Sequence, residues 1–235
     1  MLDSSQFTFK YEMNTLLGSQ DLDGNATSDW FAGTSGGITQ PSVAGGLGIS
    51  NQAAAPPQIL WRTDIANSLS RATVNGNFTI EASVRLNGDS TPGNTGGFGF
   101  ALQQPGQGQS LRFNVDETNV SFNGTGIGAI ATGSNSDQFH LYRIAFEAPN
   151  NYWIWRDGTL LNTNLATPFT GSNGNFNNLG AWFLGDFTGS LDGNWNVDFI
   201  RVTAGSFQPS VPEPATGALL LSAITAAALR RRRNA

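Results

Sequence analysis

Two carboxylates about 5 to 5.5 Å apart would serve glycoside cleavage with retention, and a hydroxyl next to an imidazole would serve acyl transfer. Before residue 208, glutamate occurs only at Glu12, Glu81, Glu117 and Glu147, and no two of these lie within four positions of each other. The chain has one histidine, His140, inside a strand-like run, where a satisfied structural hydrogen bond is the expected role. It has no cysteine, which removes disulfides and thiolate metal sites, and a single histidine removes multi-histidine zinc. These residues predict a protein that is not an enzyme. A hydrolase built from carboxylates of separate strands is the remaining catalytic alternative.

Ligand chemistry has better material. DLDGN at 21–25 and SLDGN at 190–194 each gather hard oxygen donors in a tight loop. Asp21, Asp23, Asn25, Asp192 and Asn194 are therefore candidate calcium ligands. The first loop is not an EF-hand, because Gly24 stands at its fourth position and the required glutamate is missing. The alternative role of both loops is an Asp-Gly turn. Six tryptophans are present, Trp30, Trp61, Trp153, Trp155, Trp182 and Trp195. Trp153 and Trp155 lie two apart, hence on one face of a strand, with Tyr152 and Ile154 on the other. If Tyr152 and Ile154 pack inward, the indoles form an outward stacking platform for sugar rings; if the reverse, they are core.

The elements that must position these groups are strands. Aromatic and β-branched residues alternate at 78–86, 97–103, 111–115, 119–123, 139–148, 151–157, 159–165, 179–187 and 195–205, with Gly, Asn, Asp and Ser clusters between them. No helical periodicity appears before residue 208. Asp157-Gly158 sits between two runs as a type I′ hairpin turn. In 139–148, Tyr142, Ile144 and Phe146 share one face, while Leu141, Arg143 and Glu147 share a second that should be partly solvated. Short strands at this spacing predict an all-β antiparallel sandwich.

Charge narrows the partners. Removing the four terminal arginines and Glu213 from 12 basic and 17 acidic residues leaves 8 against 16, a body charge of −8. That charge disfavours both nucleic acid and anionic membrane surfaces as partners of the body. Charged residues are 12% of the chain, against about 25% in ordinary soluble domains. A surface of Asn, Ser, Thr, Gln and Gly suits an exported protein.

The last residues change character. Val211, Pro212, Glu213 and Pro214 precede a run at 215–229 that carries no charge, followed by Arg230, Arg231, Arg232 and Arg233. The two prolines stop a helix from running back into the body and keep Glu213 extended. As a helix the run spans about 22 Å, short of a hydrocarbon core of about 30 Å, and the arginines extend it by reaching to headgroups on the cytoplasmic side. This ordered set resembles the PEP-CTERM sorting signal of Gram-negative bacteria. The resemblance implies an exosortase as partner, transient anchoring in the inner membrane, and delivery to the cell surface or extracellular matrix. Such proteins also carry an amino-terminal export signal. MLDSSQFTFKYEMNTLLGSQ has no basic or continuous apolar segment, so that signal is expected upstream of Met1.

FTIEASVRL, the pair LYRIAFEAPNNYWIWRDGTLLNTN and the closing LDGNWNVDFIRV resemble the concanavalin A-like jelly roll of lectins, laminin G-like domains and family 16 glucanases. The Glu-x-Asp-x-x-Glu strand of those glucanases is absent. The resulting expectation is a β-sandwich domain at 1–208, a Pro-rich linker at 209–214, a transmembrane helix at 215–229 and a basic tail at 230–235. The body is expected to bind carbohydrate, an exopolysaccharide for example, with a structural matrix protein as the alternative.

Overall fold

The computed structural model describes residues 6–7, 9–15, 19, 21, 26, 28, 30–32, 38–42, 47–51, 58–63, 77–89, 98–103, 110–123, 127–147, 150–170, 181–186 and 193–207. Within them the chain is all-β, with two antiparallel sheets. The first contains β1 (Phe9–Glu12), β3 (Ile38–Ser42), β4 (Leu47–Asn51), β6 (Phe78–Asp89), β11 (His140–Glu147), β12 (Asn151–Arg156), β13 (Thr159–Leu160), β14 (Phe169–Thr170) and β16 (Gly193–Ala204). Its order is β13-β12-β11-β6-β16-β4-β3, with β1 also on β16 and β14 also on β12. The second contains β2 (Trp30–Ala32), β5 (Gln58–Thr63), β7 (Phe98–Gln103), β8 (Ser110–Val115), β9 (Asn119–Asn123), β10 (Ile130–Ala131) and β15 (Ala181–Asp186), in the order β10-β9-β8-β7-β15-β5-β2.

The two sheets enclose one apolar layer because alternate residues of each strand are apolar. Ile80, Ala82, Val84 and Leu86 of β6, Tyr142, Ile144 and Phe146 of β11, and Val197, Ile200 and Val202 of β16 come from the first sheet. Phe113, Val115, Val120 and Phe122 answer from the second. Aromatic rings join the layers: Phe113 meets Tyr142 at 5.5 Å between centroids, and Phe122 meets Tyr152 at 5.9 Å. Tilted pairs of this kind add about 0.5 to 1.5 kcal/mol each beyond their buried area. The centre of the first sheet is long-range: β16 runs beside β6 from Gly193↔Asp89 to Ala204↔Phe78 and beside β1 at Phe9↔Val202.

The hairpin between β12 and β13 has positive φ at both turn residues, 51° at Asp157 and 80° at Gly158, as a type I′ turn requires. The expected strand at 159–165 is instead two residues of strand followed by a loop. Asn162 replaces the ladder there, its Oδ1 accepting from Ile154 N at 2.9 Å and its Nδ2 donating to Tyr152 O at 3.0 Å. The outer face of β11, expected to be partly solvated, is closed at its middle: Arg143 is 4% exposed and Ala145 0%. Arg143 is accommodated because its Nε donates to Glu81 Oε1 at 2.6 Å and its Nη2 donates to the same oxygen.

Candidate functional site

Trp153 and Trp155 occupy a third position that the two-way choice had not included. Tyr152 and Ile154 do pack into the core between the sheets, so the indoles face outward. They are nevertheless 5% and 4% exposed, because the segment at 159–170 folds back over them. Leu160 and Leu165 pack on the pair, and Trp153 Nε1 donates to Leu165 O at 2.9 Å. Asn162 holds this strap to β12 and also donates to Thr167 O at 3.2 Å. The open stacking platform is thus closed: two large apolar rings on an outward sheet face gain stability when covered.

The single histidine lies where the loop at 132–137 meets the Asp157 turn. Its Nδ1 is 2.6 Å from Asp157 Oδ2 and its Nε2 is 2.8 Å from Asp137 Oδ1. Arg156 Nη2 stands 2.8 Å from the same Nε2, while Arg156 also donates to Thr132 O at 3.0 Å and to Ser134 O. Leu141 N donates to Asp157 Oδ1 at 2.9 Å, which fixes the turn. The hydrogen bond from His140 holds the Asp137 carboxyl below its ordinary range. Asn135 completes the lattice, donating to Asp116 O at 2.7 Å and accepting from Tyr142 Oη at 2.5 Å. Burial pushes the Tyr142 phenol up. This arrangement ties three chain segments together and engages both imidazole nitrogens.

Of the candidate calcium ligands, Asp21 is described: its Oδ2 accepts from Ala26 N at 2.8 Å, and Ala26 has φ 66°. Asn194 is placed on β16 opposite Gly88 and Ser50. Asp23, Asn25 and Asp192 lie outside the described residues, as do Val211, Pro212, Glu213, Pro214, the run at 215–229 and Arg230 to Arg233. Among the described residues no group of three or more His, Asp or Glu could hold a metal ion, and no helix is long and apolar enough to cross a membrane.

The second sheet carries a row that the sequence reading passed over. Register places Phe31, Arg62, Phe183, Ala101, Arg112 and Asn123 side by side across six strands. The next row contains Gly185, Gly99, Asn114 and Ser121. Phe113 and Phe122, in the neighbouring register position, are core, so alternation assigns Asn114 and Ser121 to the face turned away from it. Asn114 is 2% exposed, and its Nδ2 has no hydrogen-bond partner. Ser121 beside it is 7% exposed. The signal was present in LRFNV at 111–115, whose alternation sets Arg112 and Asn114 against Leu111, Phe113 and Val115.

Residues 210–233 match the family model of the PEP-CTERM protein-sorting motif, so the chain carries the signal of an exported protein sorted by an exosortase. No curated protein matches the chain. Solved structures share its fold. The cellulose induced protein Cip1 aligns with TM-score 0.50 and 10% identity over 89% of this chain and 96% of its own. A carbohydrate esterase of the Shiga toxin-encoding bacteriophage phi24B aligns with TM-score 0.51 and 15% identity over 85% and 99%. A sialidase aligns with TM-score 0.53 and 6% identity over 75% of this chain, which spans 17% of the sialidase. The body therefore shares the all-β, antiparallel sandwich fold of these structures, a fold that does not by itself choose between binding module and enzyme.

Proposed function

We propose that this exported, envelope-sorted protein binds carbohydrate through the outer face of its second sheet, with Asn114 at the centre of the contact. The observation that carries this reading is the buried Asn114 amide without a partner, beside Ser121 on the sheet face turned away from the core. A buried amide N–H left unpaired costs about 1 to 3 kcal/mol, and a sugar hydroxyl is an acceptor that would relieve it once the atoms that hold Asn114 to 2% exposure move aside. Delivery to the envelope by the tail, with 215–229 as its membrane helix before processing, sets the body among exopolysaccharides and other surface glycans.

The test is titration of the chain ending at residue 208 with a panel of bacterial and algal polysaccharides, with calcium and with chelator. Saturable binding that weakens about tenfold in Asn114→Leu supports the site. Loss in chelator assigns a calcium role to the loops of Asp21 and Asp192. A second reading, a structural matrix protein without a specific ligand, is favoured by the burial of Trp153, Trp155 and Trp195. Absence of binding to every glycan selects that reading. Release of reducing sugar or acyl groups during the titration would instead select the hydrolase.

A further inference from the structure

We infer that, before its sorting signal is cut, the body rests end-on against the lipid headgroup surface, with the Phe207 end toward the membrane and the His140 end away from it. The inference rests on the sorting reading and adds an orientation to it. The chain is anchored up to Phe207: Gly205 N donates to Asn77 O at 2.8 Å, Thr79 Oγ1 donates to Gly205 O at 2.7 Å, and Phe207 N donates to Thr79 Oγ1 at 2.8 Å. Gly205, at φ 94°, lies directly under the Phe207 ring, and a Cβ there would stand 2.8 Å from it.

The distance from Phe207 to Pro212 is five residues, at most about 18 Å of extended chain. β6, the long central strand, has 12 residues and so measures about 40 Å. The sorting motif can therefore reach only the near end of the sandwich. An apolar run that is short for the bilayer places its flanking motif at headgroup depth. The near end of the body is drawn to the same depth.

Charge selects the same orientation. Around the far end stand Asp116, Glu117, Asp137 and Asp157 against Arg85 and Arg156. Among the described residues that end is net acidic, and an anionic headgroup surface repels it within a Debye length. Phe207 is 40% exposed, the exposed large hydrophobic among the described residues, and it projects at the near end, where an aromatic ring can enter the interface.

The absence of cysteine makes the test direct. The full chain is reconstituted in vesicles of phosphatidylethanolamine and phosphatidylglycerol with a single bimane label at Asn77→Cys or at Ser136→Cys, and quenching by headgroup-labelled nitroxide lipid is measured. The expected result is quenching about threefold stronger at position 77, with Phe207→Ala and high salt each reducing the ratio. Equal quenching at both positions in chains that float with the vesicles overturns the orientation alone. Failure to float overturns the membrane role of the tail and the orientation with it. Quenching at position 77 that appears only when the processing enzyme is present overturns the lipid contact in favour of a protein contact.

Discussion

Trp153 and Asn114 are both buried on sheet faces that point away from the core, yet they are buried on different terms. Trp153 has Leu165 O for its indole N–H and Leu160 and Leu165 around its ring. On the same sheet face, Glu81 and Arg143 have each other, and Thr79 both donates to Gly205 and accepts from Phe207. Asn114 Nδ2, on the second sheet, has nothing. Burial of a polar or aromatic group on an outer face is thus no mark of function by itself. Burial without satisfaction calls for an explanation, and Asn114 Nδ2 shares that state with Tyr152 Oη of the core.

The largest effect should come from the closed face. Glu81→Leu leaves the Arg143 charge buried and alone, and should destabilise by about 3 to 5 kcal/mol in urea unfolding, whereas Glu81→Leu with Arg143→Met should be nearly neutral. A single-mutant loss under about 1 kcal/mol would show this pair to be solvated and would remove half of the contrast. Next, Asn162→Ala deletes the bonds that hold the strap and should cost about 2 kcal/mol. It should also shift tryptophan emission to the red as Trp153 and Trp155 gain water; unchanged emission would mean that the leucines alone keep the strap down. Asn114→Leu should leave stability within about 0.5 kcal/mol of the parent or raise it, while weakening glycan binding. A large loss of stability there would place Asn114 with the satisfied groups.

The smallest effect concerns Asp137. Its folded carboxyl titrates below the ordinary 3.8, first because His140 donates to it. A depressed carboxyl stabilises the fold above its unfolded value, and the contribution disappears as pH falls through the lowered one. Asp137→Asn should therefore be less stable than the parent at neutral pH, with the gap closing below about pH 4. A gap that stays constant across the acid range would show that the His140 contact does not set the titration.

Much of the second half of the fold was legible. The run at 119–123 is β9, and those at 139–148 and 151–157 differ from β11 and β12 by one residue at their ends. The reason is local: Tyr142, Ile144 and Phe146 alternate cleanly, and Asp157-Gly158 accepts positive φ in the turn. β1 to β5 were not legible. FKYE and WFA are too short to show a period, and ITQPS carries a proline inside its strand. Partners far along the chain decide them, as when Phe9 pairs with Val202. At 159–165 alternation misled, since Leu161 packs toward the main core and Leu160 toward the tryptophans while Asn162 takes over the backbone pairing. The strap over Trp153 is a tertiary fact that spacing within β12 does not contain. The Asn114 row is an assembly of four strands, of which sequence displays only the Arg112 and Asn114 alternation.

β16 also has a mechanical consequence. It leads directly to the tail, and it is a central strand, matched to β6 by a register of pairs from Gly193 to Ala204. A body tethered at Phe207 and tugged through a bound polymer would feel tension along the axis of β16. Pulled that way, the ladder bonds with β6 share the load in shear rather than parting one after another from a free edge. The strand that hands the chain to its anchor is thereby the one best seated to bear strain.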